Sequence, residues 1–510
     1  MKLFTTDTIR QLDTLTIEQE GITTTDLMER AALALFHRLR STLRPTDRVV
    51  VMAGPGNNGG DGLVISKWLY RDGYRVSVVL CHYGKPLSTD AAYQWSRLKE
   101  EKGLSYVEPA NPEALNTIGP ADVLVDALFG SGLNRPLQAA FASTVEWMNR
   151  QPAKRIAIDL PSGLFGENNG DDPHKAVVKA DETYCLQQPR LACLLPENET
   201  FIGKWQVVDI GLNPKALSEM PTTWSLTTTD EAATCLKPLA RFAHKGRCGH
   251  SLLIAGSPGM MGAALLAGKG ALRAGTGLLT LHVPAPCLDI AQTALPEALC
   301  TTYLETCWPH QRVSSTCSAI GIGPGLGQSD ATLKGLEALL LTAKVPLVID
   351  ADALNLLAAH PHLFEQLPKG SILTPHPGEF DRMLGRKPAT GYERLVAAID
   401  MAVKAGVYLV LKGAHTACIC PDGRCRFNNT GHPGMATGGS GDVLTGIIVS
   451  LLAQGYDRET ACVLGTCLHG LSGELALDKE SEESLIAGDL AANLGKAFKH
   501  LYRQRPIQTH

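Results

Sequence analysis

The sequence predicts an α/β protein made of two consecutive domains, each a parallel sheet covered by helices on both faces. Three observations carry this. Short β-branched runs recur along the chain, each closed by glycine and followed by a helical pattern, and such alternation implies parallel strands. The rhythm breaks once, in the Thr- and Pro-containing stretch GLNPKALSEMPTTWSLTTT at residues 211–229, which has no periodicity and reads as a linker. The 510 residues, 44% hydrophobic and 19% charged, also suffice for more than one core.

In order, the expected strands of the first part cover residues 48–53, 75–81, 122–129, 154–160, 183–186 and 204–210. After the break they cover 250–255, 278–283, 318–323, 345–350, 370–374, 407–412 and 416–420. We place the domains at 1–215 and 230–510, with 216–229 between them. The halves share rhythm but not motifs, so no internal repeat is expected.

Composition narrows the function classes. A net charge of −4 without a long Lys/Arg run lacks the electrostatic footprint of a nucleic-acid binder. No apolar stretch approaches the roughly 18 residues needed to span a membrane; the longest, at 443–453, is of helix-core length. The opening MKLFTTDTIRQLD lacks the apolar run of a secretion signal. The 14 cysteines are scattered. Cys418-x-Cys420 and Cys462-x4-Cys467 match neither a redox CxxC nor a zinc knuckle. Reduced thiols in a cytoplasmic enzyme are expected. With 50 glycines and 30 prolines but no shortage of hydrophobics, the glycines belong to turns and anion-binding loops.

The first such loop is Gly54-Pro-Gly56-Asn57-Asn58-Gly59-Gly60-Asp61-Gly62. It contains GxGxxG, the dinucleotide fingerprint. The next strand ends VVLCHYG, without the acidic residue an ordinary NAD site sets against the ribose, so a standard nicotinamide dehydrogenase is set aside. A tight turn would explain the glycines alone, but not two asparagines and an aspartate beside them. Asp126, in VLVDALFGSGLNRP, and Asp159, in IAIDLPSG, come at two further strand ends, where parallel sheets line a ligand crevice. Each alone would serve equally as a helix N-cap. Asn58, Asp126 and Ser162 supply oxygens to a hard cation, and a set with one carboxylate suits a monovalent ion as well as Mg2+.

These three motifs, in this order and spacing, resemble the N-terminal domain of the YjeF family over about residues 1–215. The resemblance implies a Rossmann-like NAD(P)H-hydrate epimerase. It implies K+ held at Asn58, Asp126 and Ser162. It places substrate contacts at Asn57, Asn58, Gly59, Gly60 and Asp61, at Gly130, Ser131, Gly132, Leu133, Asn134, Arg135 and Pro136, and at Asp159. Hydrated NADH carries a hydroxyl on C6 beside ring nitrogen N1, a hemiaminal. Inverting that carbon needs reversible C–O or ring opening with a proton donor or acceptor, for which Asp159 is the candidate.

The second loop is GHPGMATGGSGDVLTG, residues 431–446. Gly438, Gly439 and Gly441 around Ser440 can turn their amides inward as an anion nest, and a helix follows at once. Asp442 stands at its mouth. A plain N-cap is the bland reading; a carboxylate beside an anion hole otherwise repels phosphate unless it takes a proton from an attacking hydroxyl. Gly262-AALLA-Gly268-Lys269 imitates a Walker A loop, but its spacing is five and Gly270 replaces Ser/Thr; it reads as a closely packed helix. GIGPGLG at 321–327, DADALN at 350–355, TPHPGE at 374–379 and KGAHT at 412–416 each follow a strand. His376, between two prolines, is a candidate ligand contact.

GGSGD with DADALN, TPHPGE and KGxxT before it resembles the ribokinase-like fold, and closer still the YjeF C-terminal domain, an ADP- or ATP-dependent NAD(P)H-hydrate dehydratase, over about residues 225–500. That family usually has Asn where this chain has His432. The resemblance implies that a nucleotide, with Mg2+, phosphorylates the C6 hydroxyl and that phosphate then leaves, with Asp442 as base. It places nucleotide contacts at Lys412, Gly413, Ala414, His415, Thr416, Gly438, Gly439, Ser440 and Gly441, and substrate contacts at Ala264, Gly325, His376 and Asp442. The expected partners are hydrated NAD(P)H and an adenine nucleotide, with no nucleic acid, no membrane and a homo-oligomeric state. Two alternatives stay open: a ribokinase-like small-alcohol kinase with a regulatory N-terminal half, and an N-terminal binding scaffold.

Overall fold

A computed structural model describes residues 1–137, 139–170, 175–304 and 317–505. They fall into two units: residues 2–222 with 389–392, and 223–388 with Met1 and 393–510.

The N-terminal unit is built on strands in the order Ser105–Val107, Arg75–Leu80, Arg48–Ala53, Val123–Ala127, Lys154–Ile158, Glu182–Leu186, Lys204–Val208. All the ladders are parallel. The period of two explains the layers. Val49, Val51, Val76, Val78, Val123 and Val125 pack into one core; Val50, Met52, Val79 and Leu124 pack into another on the opposite face. Both faces are therefore buried, as parallel sheets require. Helix Thr24–Arg40 starts where Thr23 and Asp26 form a capping box, and Ser88 caps Thr89–Lys99. Strand order reverses between Arg48–Ala53 and Val123–Ala127, so their carboxyl ends open a crevice at a switch point. Ser105–Val107 is exposed along its length and is an edge strand that the hydrophobic pattern could not reveal.

The C-terminal unit runs Leu299–Tyr303, Leu278–Pro284, His250–Ile254, Ala319–Ile322, Leu347–Ile349, Ile372–Leu373, Tyr408–Leu411, Ala417–Ile419, Cys425–Asn428, Trp224–Thr227. Alternate residues again serve two cores: Leu253, Leu281, Ala319 and Val348 one, Leu252, Ile254, Ile320 and Ile349 the other. The switch point lies between His250–Ile254 and Ala319–Ile322. The expectation of a purely parallel sheet needs correcting here. Ala417–Ile419 pairs antiparallel with both neighbours, because Pro421, Asp422 and Gly423 make a turn in which the Gly423 N–H reaches the Cys420 carbonyl at 3.0 Å. The stretch expected to be an aperiodic linker is ordered too. It carries helix Pro214–Glu219, capped by Asn213, and Trp224–Thr227, which pairs parallel with Cys425–Asn428. Four β-forming residues among threonines and prolines are too short a run to read from pattern.

Helix Ser440–Ala453 is buried from Val443 to Ala453 and packs on helix Met261–Arg273, the false Walker segment. A Cβ on Gly446 would lie 1.9 Å from the Ala267 carbonyl oxygen, and one on Gly270 2.5 Å from that of Val443. The paired glycines permit backbone-to-backbone contact; alanine at either would force the helices apart. This packing fixes where the helix's first turn, and Asp442, stand. No helix among the described residues is long and apolar enough to cross a membrane.

Candidate active sites

In the N-terminal unit the chain leaves Arg48–Ala53 through Gly54, Pro55 and Gly56 and enters helix Asn57–Arg71 at once. Gly56 is the N-cap, and no side chain caps the first turn. Those first amides stay open to a ligand at the positive end of the helix dipole. Asn57, Asn58 and Asp61 line a cavity of about 500 Å3 together with Asp159 and the whole run Gly130, Ser131, Gly132, Leu133, Asn134, Arg135 and Pro136. Gly59 and Gly60 are not in its lining. Gly59 lies against the Gly54 carbonyl and Gly60 against the Met28 thioether; both serve packing.

Asp159 stands just past Lys154–Ile158 with φ +66°, a conformation that costs a non-glycine residue roughly 1–3 kcal/mol. What holds it there is electrostatic. Its carboxylate accepts the Ser131 N–H at 2.7 Å and the Arg190 Nη2 at 2.8 Å. Burial works against the charge, but the Arg190 guanidinium and the Ser131 N–H outweigh it and hold the carboxyl below its usual range. Arg190 is only 2% exposed, and its Nε and Nη1 have no partner. Buried donors without acceptors cost roughly 1–3 kcal/mol each. Two more carboxyls line it. Burial, with Asp159 and Asp13 nearby, pushes Asp61 well up; burial raises Asp13 to about 6, with Arg190 opposing and Asp159 adding.

Asp126 and Ser162 lie beneath the cavity, 0% and 1% exposed. Asp126 accepts the Ser162 Oγ–H at 2.6 Å, the Ser162 N–H at 2.8 Å and the Leu128 N–H at 3.2 Å. Burial raises it to about 6 despite these bonds. The Ser162 hydroxyl has a second acceptor, the Phe129 carbonyl at 2.9 Å, so it can turn away from Asp126. The buried Asn58 Nδ2 has no partner. One carboxylate and a rotatable hydroxyl are oxygen ligands of the kind a hard cation takes; the unpartnered Asn58 Nδ2 is a donor and adds nothing to that fit.

In the C-terminal unit, Gly438, Gly439 and Asp442 line a cleft of about 470 Å3 with Gly325, Asp352, Asn355 and Glu379. Gly439 is the N-cap of Ser440–Ala453 at φ +90°, without a side-chain cap. Only glycine takes that conformation freely. The Ser440 N–H reaches the Thr437 carbonyl at 3.4 Å, and the amides of Gly441 and Asp442 stay open. Burial, then the Asp350 carboxylate, raises Asp442 to about 7; Lys412 opposes, and Glu379 and Asp352 add.

Lys412 is not a free phosphate ligand. Its ammonium bonds Asp350 at 3.0 Å and faces Glu379 at 3.7 Å, while Thr445 Oγ1 donates to the other Asp350 oxygen at 2.7 Å. A Cβ on Gly441 would lie 3.1 Å from Lys412 Nζ, so the cation sits beneath the glycine loop. Gly413 and Ala414 are exposed, forming a ledge. Thr416 Oγ1 donates to the Gly413 carbonyl at 3.0 Å, and the His415 ring meets the Asn428 carbonyl at 3.4 Å. His376 serves its own helix: its Nδ1 accepts the Gly378 and Glu379 amides, and Glu379 accepts the His376 N–H. Ala264 is fully buried behind Ala263, which lines the cleft. His432 caps as an asparagine would, its Nδ1 accepting the Gly434 N–H at 3.2 Å.

Three site residues escaped sequence reasoning. Arg190 lies in a loop without a motif. Asp13 lies on the inward stripe of helix Thr6–Glu20, where a carboxylate four residues after buried Ile9 was the signal. His469 is half-buried on helix Arg458–Ala476, with Nε2 2.9 Å from the Ser440 carbonyl; desolvation lowers it to about 4, so it is neutral and donates to the loop.

Residues 251–496 match the family model described as NAD(P)H-hydrate dehydratase, and residues 24–192 the one described as YjeF-related protein N-terminus. A bifunctional NAD(P)H-hydrate repair enzyme of Moorella thermoacetica is 34% identical, over 98% of this chain and 97% of its own. That of Escherichia coli is 32% identical, over 96% and 92%. A Bacillus subtilis structure titled ADP/ATP-dependent NAD(P)H-hydrate dehydratase, co-crystallised with ATP/Mg2+, is 34% identical over 54% of this chain and 98% of its own, with a TM-score of 0.49. The chain belongs to the family of bifunctional NAD(P)H-hydrate repair enzymes.

Proposed function

We propose that residues 1–215 interconvert the R and S forms of hydrated NAD(P)H and that residues 230–510 dehydrate the S form at the expense of ADP or ATP. The observation that carries this reading is Asp442, poised near neutrality at the mouth of an uncapped helix N-terminus with the Lys412 ammonium below the loop. Hydroxide is a poor leaving group and phosphate a good one, so a nucleotide has a chemical purpose here. Asp442 takes the proton of the C6 hydroxyl while that oxygen attacks the terminal phosphorus; the bond from that phosphorus to the bridging oxygen breaks, and the nucleotide, one phosphate shorter, leaves with its electron pair. The open amides of Gly441 and Asp442 and the nearby ammonium stabilise charge on the transferring group. The C6–O bond then breaks, phosphate leaves with the electron pair, and loss of a C5 proton restores the ring double bond.

Gly325 and Asp442 are the reading's substrate contacts in the cleft; Ala264 supports them from behind, and His376 positions Glu379. Gly413 to Thr416 form the nucleotide ledge. Among the described residues no group of three or more His, Cys, Asp or Glu is arranged to hold a metal ion. Magnesium therefore fits as an ion carried by the nucleotide phosphates, which neutralises their charge. In the N-terminal cavity, Asn58, Asp126 and Ser162 would hold potassium, balancing a buried carboxylate. Asp159 stays ionised beside the reacting carbon, held so by Arg190.

Product analysis tests the reading. A mixture of both hydrates with ADP or ATP should convert fully to reduced nicotinamide and inorganic phosphate. A stable phosphorylated alcohol would mean a kinase, and conversion of only the S form would mean an inactive N-terminal unit.

A further inference from the structure

The inference rests on the epimerase reading of the N-terminal unit and concerns a residue outside every motif that suggested it. Helix Thr6–Glu20 turns Ile9, Leu12 and Thr16 inward, and Asp13 lies on that stripe. It lines the same cavity as Asp159, Asp61 and Arg190. Asp61 is 7% exposed. Among the described residues neither Asp13 nor Asp61 has a hydrogen bond to its carboxyl, whereas Asp159 has two strong donors.

Inverting C6 takes one group that gives a proton and one that accepts it. The donor protonates the C6 hydroxyl; the C6–O bond breaks and its electron pair leaves on water. The N1 lone pair forms an N1=C6 bond. Water returns to the opposite face of C6 and gives its extra proton to the acceptor. Atoms balance, with one proton moved from donor to acceptor and returned to the donor through cavity water. Asp159, held ionised by Arg190 and the Ser131 N–H, is equipped only as the acceptor. The donor must come from another wall of the cavity.

We propose that Asp13 is the second catalytic carboxyl of this reaction, the proton donor working with Asp159 in the same cavity. Its carboxyl, raised by burial to about 6, keeps a protonated fraction at neutral pH and exchanges it readily. Asp61 is buried and pushed well up by that burial, whereas Asp13 is only half-buried and is open to the cavity it lines. The charged groups lining the cavity around Asp13 are Arg10, Asp61, Lys85, Arg135, Asp159 and Arg190. Of these Arg190 draws Asp13 down and Asp159 pushes it up.

The test is R/S exchange of hydrated NADH by the full-length protein without nucleotide, followed by proton NMR of the C6 hydrogen from pH 5.5 to 8.5, with the spontaneous rate subtracted. Because the donor must be protonated, wild-type exchange should fall as pH rises through about 6. Asp13→Asn should lower kcat at least about 100-fold with KM changed less than threefold, and should abolish the falling limb. Asp13→Glu keeps the carboxyl and should recover at least a tenth of the rate, which separates lost chemistry from lost folding. Asp61→Asn should retain the limb. The proposal is overturned if Asp13→Asn keeps more than half of kcat, if Asp13→Glu loses as much as Asp13→Asn, or if the limb disappears in Asp61→Asn. A wild-type protein without exchange would instead sink the epimerase reading itself.

Discussion

Asp159 and Asp442 both stand at the carboxyl edge of a sheet beside its switch point, the first buried and the second half-buried, both next to an uncapped helix start. Asp159 has a buried guanidinium at 2.8 Å and an amide at 2.7 Å, and its carboxyl is held low. Asp442 has Asp350, Glu379 and Asp352 around it and shares its cation with two of them, and it is raised to about 7. The difference teaches that crevice position offers a place for chemistry, while the nearest cation decides which chemistry. A dedicated arginine makes a fixed anion. A shared lysine leaves an aspartate that can take up and release a proton at neutral pH.

The largest effect should come from Asp442→Asn. Dehydration of the S hydrate, followed by absorbance of the reduced nicotinamide, should fall about 10³-fold, within the range for general-base loss. Exchange at the other site should stay within twofold. The wild-type dehydration rate should rise with pH through about 7, since the carboxylate is the working form, and the variant should lack that rise. A variant with near-normal turnover would remove the basis of the comparison.

Arg190→Gln attacks the other side. It leaves Asp159 a buried charge without its counter-ion, which should destabilise the N-terminal unit by about 3–5 kcal/mol, read as lost hydrogen-exchange protection across 154–190. The sign with pH is specific. The folded Asp159 carboxyl is depressed, so its contribution is present above the ordinary carboxylate value and disappears as pH falls through the folded one. In the variant Asp159 moves up and can be protonated, so the deficit should shrink on acidification. A deficit that grows toward low pH would contradict the pairing.

Lys412→Met removes the shared cation and should sharpen the comparison. Asp442 then loses the one group that holds it down, and the rising limb of dehydration should move to higher pH. A shift of one unit means about tenfold less activity on the acid side of the limb. An unmoved limb would show that Lys412 has no electrostatic hold on Asp442.

Much of this organisation was legible in the sequence. The strands that bury both faces, such as Arg48–Ala53, announce themselves as β-branched runs, and glycine loops after them mark both crevices. Asp126 and Asp159 followed from position at strand ends, and Asp442 from the glycine nest at a helix start. What escaped was set by tertiary contact. Trp224–Thr227 is a strand because Cys425–Asn428 offers it an edge, not because of its own pattern. Gly59 and Gly60 resemble ligand glycines in sequence, yet what they approach is the Gly54 carbonyl and Met28. Lys412 reads as a phosphate ligand until Asp350 and Glu379 appear beside it. Asp13, Arg190 and His469 act from helices and a loop whose local sequence carries no motif.

The smallest effect concerns how the two anion-binding turns are held. The first turn of Asn57–Arg71 is fixed from behind by glycine packing on backbone and on Met28. The first turn of Ser440–Ala453 has a side-chain anchor as well, the half-buried His469 donating to the Ser440 carbonyl at 2.9 Å. Because desolvation lowers His469 to about 4, it is an uncharged donor throughout the working range, and its loss removes one neutral hydrogen bond, about 0.5–1.5 kcal/mol. His469→Leu should therefore raise the nucleotide KM roughly two- to tenfold through a looser loop, while the limb near pH 7 that belongs to Asp442 stays in place. A displaced limb would mean that His469 acts through charge rather than position, and an unchanged KM would mean that the glycine loop needs no anchor beyond its own helix.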